Sequence, residues 1–137
     1  MAGIIVAFPK PEDGKAIKGL LVRNGYEVVS SCTTGAKAIH LADHLGEGII
    51  ISGYRLPDML YSDILENVDG RFEMLLVASR QRLLENEASV AMLEMPIKVR
   101  DFLNSVEMME SNLYARTRRG KIKPPKRTEE EQTIITQ

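Results

Sequence analysis

Apolar runs and helix-spaced apolar positions alternate along this 137-residue chain from its first residues. Ile4 to Ala7 is a short, fully apolar run of the buried-strand kind, ended by Pro9 and Pro11, which cannot donate to a central ladder. Ala16, Ile17, Leu20 and Leu21 then recur at helical spacing between Lys15 and Arg23, and Asn24-Gly25 supplies the stop. Tyr26 to Cys32 reads as a second strand, and Thr34 caps a helix over Ala36 to Leu45. Gly48 to Ser52 follows as a third strand and Leu60 to Asn67 as a short helix. Glu73 to Ser79, with its Met-Leu-Leu-Val centre, is the fourth strand. A weak helix over Arg80 to Glu87 leads into Val90 to Met95 as the fifth, and a long helix starts after Pro96. Five strand-then-helix repeats predict an α/β domain. Its core is a doubly wound five-stranded parallel sheet covered on both faces through right-handed crossovers, with an extended last helix.

Composition narrows the class. At 44% hydrophobic and 27% charged the chain is an ordinary globular one, without an apolar run near the roughly 20 residues that span a bilayer. Met-Ala-Gly-Ile-Ile-Val has no basic leader, so neither a secretory signal nor membrane insertion is expected. The single cysteine, Cys32, excludes an internal disulfide framework and fits a reducing cytosol, with a buried strand-end role rather than a redox one. His40 and His44 lie four apart on the second predicted helix, without an obvious third ligand, and read as exposed helix positions. No metal or cofactor is expected, and the location expected is cytoplasmic.

Charge is distributed unevenly. Residues 116–127 hold seven basic side chains, Arg116, Arg118, Arg119, Lys121, Lys123, Lys126 and Arg127, and no acid, after a net acidic first part. This gives a domain over 1–112, a basic linker over 113–127 and the start of a further helix over 128–137. The basic positions are candidate RNA phosphate contacts, against the plainer reading of a solvated linker. The last long helix carries Val99, Phe102, Val106, Met109 and Leu113 at 3-4-3-4 spacing. That period suits the a/d seam of a coiled coil, with Glu107 and Glu110 at its rim, and equally a helix facing its own core.

Several ordered motifs resemble the receiver (CheY-like) domain of two-component response regulators over residues 3–112. Gly25-Tyr26-Glu27-Val28-Val29 opens strand two and Thr34-Gly35-Ala36-Lys37-Ala38 opens helix two; Leu56-Pro57-Asp58-Met59 resembles the family's proline-containing loop, and Met95-Pro96 its Lys-Pro pair. Receivers phosphorylate an aspartate that ends strand three. Two acids after strand one hold Mg²⁺, a hydroxyl ends strand four and a lysine ends strand five. The ion and the lysine neutralise charge on the transferring phosphoryl group. Here the acidic positions fall on Phe8 and Pro9, the acceptor on Gly53, the hydroxyl on Ala78 (or the adjacent Ser79) and the lysine on Met95. The resemblance therefore implies a degenerate receiver that is not an enzyme. Its mouth would be plugged by Phe8, Tyr54 and Met95, and the Met95–Pro96 peptide would be cis with Met95 pointing inward. Glu12, Asp13 and Asp58 lie nearby in sequence and could supply carboxylates for a rewired site.

Lys-Pro-Pro-Lys-Arg-Thr-Glu-Glu-Glu-Gln-Thr-Ile-Ile, 123 to 135, resembles the entry to an ANTAR domain, an RNA-binding module of transcription antitermination regulators. Thr128 with Glu131 forms a capping box there. The resemblances together imply a phosphorylation-independent signalling and dimerisation domain of a response regulator. It would pair through Val99, Phe102, Val106, Met109 and Leu113, contact a regulatory protein partner, and act on RNA through a module mostly absent from this chain. The alternative is a small-molecule-binding flavodoxin-like domain using the altered strand-end pocket, with Ser30 to Gly35 offering hydroxyls and amides to a phosphate.

Overall fold

The computed structural model describes residues 3–68, 70–85 and 90–122, with side chains through residue 115. Five strands and five helices alternate: β1 (Gly3–Ala7), α1 (Pro11–Arg23), β2 (Glu27–Cys32), α2 (Gly35–Leu45), β3 (Gly48–Ser52), α3 (Tyr61–Val68), β4 (Phe72–Ala78), α4 (Arg80–Leu84), β5 (Ala91–Glu94) and α5 (Val99–Ile122). The sheet is wholly parallel in the order β2-β1-β3-β4-β5, the doubly wound arrangement that the alternation predicts.

Local chemistry explains the boundaries. Pro11 at the first turn of α1 gives up an amide that would be unbonded there anyway, and Glu12 and Asp13 sit favourably at the positive end of the helix dipole. The side-chain amide of Asn24 donates to the Leu20 carbonyl at 2.8 Å, and Gly25 turns the chain at φ 86°. Thr34 Oγ1 accepts from the Lys37 amide at 3.2 Å and starts α2 as expected.

Strand periodicity sends alternate residues into two cores. Ile5, Ala7, Ile50, Met74, Leu76 and Ala78 pack under Ala38 and Ala42 of α2 and Tyr61, Ile64 and Val68 of α3. Ile4, Val6, Ile49, Ile51, Leu75 and Val77 pack under Ile17 and Leu21 of α1 and Phe102, Val106 and Met109 of α5. Helix α1 lies so close to β2 that a Cβ on Gly14 would come within 2.5 Å of Ser31 Oγ.

Helix α5 corrects one expectation. Phe102, Val106, Met109 and Leu113 are buried within the single chain, whereas Val99 is 53% exposed. The first three are covered by the chain's own sheet, so the 3-4-3-4 stripe is a core face rather than a seam for a second copy. Glu107 and Glu110 act on this chain too: together with burial, the larger cause, they push the Tyr26 phenol upward. Helix α5 also continues to Ile122, through positions 113–122 read from sequence as linker. Among the described residues no helix is long and apolar enough to cross a membrane.

At the other edge, α4 is one short turn with no buried residue, because Arg80-Gln81-Arg82 offers nothing apolar to the sheet. Edge strand β5 consequently leaves Met92 44% exposed, and Leu84 of α4 is 79% exposed.

Candidate functional site at the carboxyl ends of the strands

In an open α/β sheet the ligand crevice lies beyond the carboxyl ends of the strands, here where β1 and β3 send their connections to opposite faces. The ladder continues one residue past the strands. Phe8 N donates to the Cys32 carbonyl at 3.1 Å, Gly53 N to the Ala7 carbonyl at 3.0 Å and Met95 N to the Ala78 carbonyl at 2.9 Å. Four of the positions singled out from sequence, Phe8, Gly53, Ala78 and Met95, are thereby held at one end of the sheet, and Pro9 follows directly.

What they form is apolar. Phe8 keeps the parity of Ile4 and Val6 and is buried in the α1–α5 core. Its ring lies over Gly53: a Cβ there would sit 3.3 Å from Phe8 Cδ1 and 3.5 Å from Pro9 Cδ. The position read as phospho-acceptor thus has no side chain, and one added there would fit only if the Phe8 ring gave way by a few tenths of an ångström. Ala78 is buried, and the neighbouring Ser79 hydroxyl caps α4 by accepting from the Arg82 amide at 3.4 Å. The buried Ser52 hydroxyl is satisfied by donating to the Gly53 carbonyl at 2.8 Å.

The expected three-residue plug is corrected to Phe8 alone. Tyr54 packs with the opposite core, its ring 5.5 Å from that of Tyr61 and under the Arg82 guanidinium at 5.1 Å. Met95 precedes Pro96 through a cis peptide, as expected, but the residue is 38% exposed rather than turned inward.

The nearby carboxylates do not converge. Among the described residues no three His, Cys, Asp or Glu side chains group to hold a metal ion. Asp58 is engaged elsewhere, its two oxygens accepting from the amides of Gly35 at 2.8 Å and Ala36 at 2.9 Å. Those two hydrogen bonds hold its carboxyl below the ordinary carboxylate range. Asp58 and Thr34 together take the amides of Gly35, Ala36 and Lys37, so the helix start read as a phosphate site is filled by the chain itself. Sequence reasoning missed this cap because its partners are 23 and 22 residues apart.

The depressed pKa sets a pH dependence. The cap's stabilisation is complete above the carboxylate's unfolded pKa and fades as pH falls through the lower folded value. In an NMR titration the Gly35 and Ala36 amide resonances are expected to move together, with a midpoint below the ordinary 3.8. In Asp58→Asn that shared transition should vanish.

Cys32 is buried, and burial, the largest cause, pushes its thiol up, which disfavours the reactive thiolate. Positions 123–137, with the ANTAR-like segment, Lys123, Lys126 and Arg127, lie outside the described residues. So do the side chains of Arg116, Arg118, Arg119 and Lys121.

No family profile and no curated protein matches the sequence. Solved structures do match the fold. A CheY-like response regulator receiver domain protein from Methanospirillum hungatei JF-1 superposes with a TM-score of 0.72 at 18% identity, covering 85% of this chain and 98% of that one. A response regulator receiver domain protein from Clostridium thermocellum gives 0.72 at 16% identity, covering 82% and 96%. The signal receiver domain of an HD domain-containing protein from Pseudomonas fluorescens Pf-5 gives 0.72 at 15% identity, covering 83% and 98%. The chain has the five-stranded CheY-like receiver fold of response regulators, built around a strand-end site in which Phe8 and Gly53 stand at the positions where the resemblance implies acids.

Proposed function

We propose that this chain is a receiver-type signalling domain that works without phosphorylation. The observation that carries the reading is the Phe8 ring packed over Gly53, since phosphoryl transfer needs a cation, an acceptor oxygen and open space at that point. The domain then signals by protein contact, has no catalytic role of its own and needs no metal. Its setting is a cytoplasmic antitermination regulator of the ANTAR type, in which the long α5 leads into the RNA-binding module. The seven basic residues of 116–127 add phosphate contacts that make RNA affinity fall steeply with salt.

With the α5 stripe used in the core, pairing with a second copy falls to the thinly covered edge. Leu84 and Met92 expose apolar surface on α4 and β5. Sedimentation velocity at high micromolar concentration is expected to show a dimer, and Met92→Glu a monomer with an unchanged circular dichroism spectrum. A wild-type monomer at that concentration contradicts pairing.

A further inference from the structure

Beside Phe8, on the α1 side, a cleft of about 240 Å³ opens between α1 and the segment joining β5 to α5. Its walls are the Phe8 ring, Ile17 and Leu20 of α1, Met95, and Ile97, with Asp13 supplying its only ionisable group. We infer that this cleft is a binding site for a small single-ring aromatic amine, a role that goes beyond the pairing and phosphate independence proposed above.

Size, surface and charge each select the ligand. A dry apolar cavity of about 150 Å³ already accommodates benzene, so this cleft takes one ring with a short chain and excludes nucleotides and flavins. An aromatic ring suits the walls, stacking offset against Phe8 and touching the Met95 thioether. The sign of the polar group follows from Asp13, a half-buried carboxylate in the first turn of α1. The neighbouring hollow shares Met95 and Pro96 and carries Glu94 and Asp101 against Lys98 alone, so the side chains lining the two hollows are net negative, and Asp13 itself offsets the positive end of α1 at which it sits. An ammonium group is drawn there and a carboxylate or phosphate repelled. Phe8 and Met95, the residues that remove the phosphorylation chemistry, are two of the walls.

The test is a titration of the full 137-residue chain with 2-phenylethylamine, followed in ¹H–¹⁵N spectra. Saturable shifts are expected at the amides of Asp13, Ile17, Leu20 and Ile97. Asp13→Asn should weaken the amine at least tenfold, the scale of one lost charge-assisted hydrogen bond. Phenylacetate should not bind. Ala16 is an exposed helix position on the cleft wall, so Ala16→Phe should fill the cleft, abolish binding and leave the rest of the spectrum in place. The inference is overturned by any of four results: no saturable shift at these amides, saturable shifts centred on β5 instead, equal affinity in Asp13→Asn, or equal binding of phenylacetate. None of these depends on the oligomeric state or on phosphate, so the two readings fail separately.

Discussion

Phe102→Ala is expected to destabilise the domain by about 3–5 kcal/mol, a large part of what a domain this size has. Phe102 is wholly buried between α5 and the sheet, among Ile4, Val6, Ile49, Ile51, Leu75 and Val77, and its loss leaves a cavity the stiff parallel strands cannot close. Val106→Glu should be worse, because it puts an unpaired carboxylate in the same layer. Urea unfolding followed by circular dichroism measures both. Met108→Glu, two residues beyond Val106 on the exposed side of α5, should stay within about 0.5 kcal/mol of wild type. Had the stripe been a seam between copies, Val106→Glu would give a folded monomer. A cooperative unfolding curve of near wild-type midpoint for that variant would return the stripe to an interface.

Gly53→Asp carries the second large effect. Restoring an aspartate at the acceptor position is expected to cost about 3 kcal/mol rather than to restore chemistry. The new Cβ would press on the Phe8 ring, and the carboxylate would enter a buried position beside that ring. Because the ring and the new side chain compete for one space, Phe8→Ala and Gly53→Asp should be less than additive. A coupling of about 1 kcal/mol in the double-mutant cycle is the expected size. Strict additivity would show that the ring does not fill the acceptor's space.

Much of this architecture was legible in the residues. Short apolar runs between helical patterns fixed the alternation, and Thr34 and Asn24-Gly25 marked ends that the structure keeps, whereas Pro11, read as a strand stop, opens α1 four residues before the Lys15 start expected. The positions of the site were legible as well, because motifs such as Leu56-Pro57-Asp58 and Met95-Pro96 index the strand ends. The side-chain arrangement was not. Phe8 and Tyr54 fall in opposite cores, and that depends on the sheet's pleat, which spacing within either loop does not reveal. The α5 stripe was ambiguous for a different reason: a core-facing helix and a coiled-coil seam share nearly the same period. The Asp58 cap depends on two loops meeting across more than twenty residues, which no local pattern announces. The cleft beside α1 is likewise a product of packing, its walls drawn from residues 8–20 and 95–99, two segments far apart in sequence.

The most direct test of phosphate-independent signalling is the intact mass of the wild-type chain after incubation with acetyl phosphate and Mg²⁺. No added phosphoryl group is expected, because Gly53 has no side-chain oxygen to accept it and the Phe8 ring packs against that position. A stable, hydroxylamine-sensitive gain of one phosphoryl group, located by fragmentation to a carboxylate near the strand ends, would contradict the reading outright.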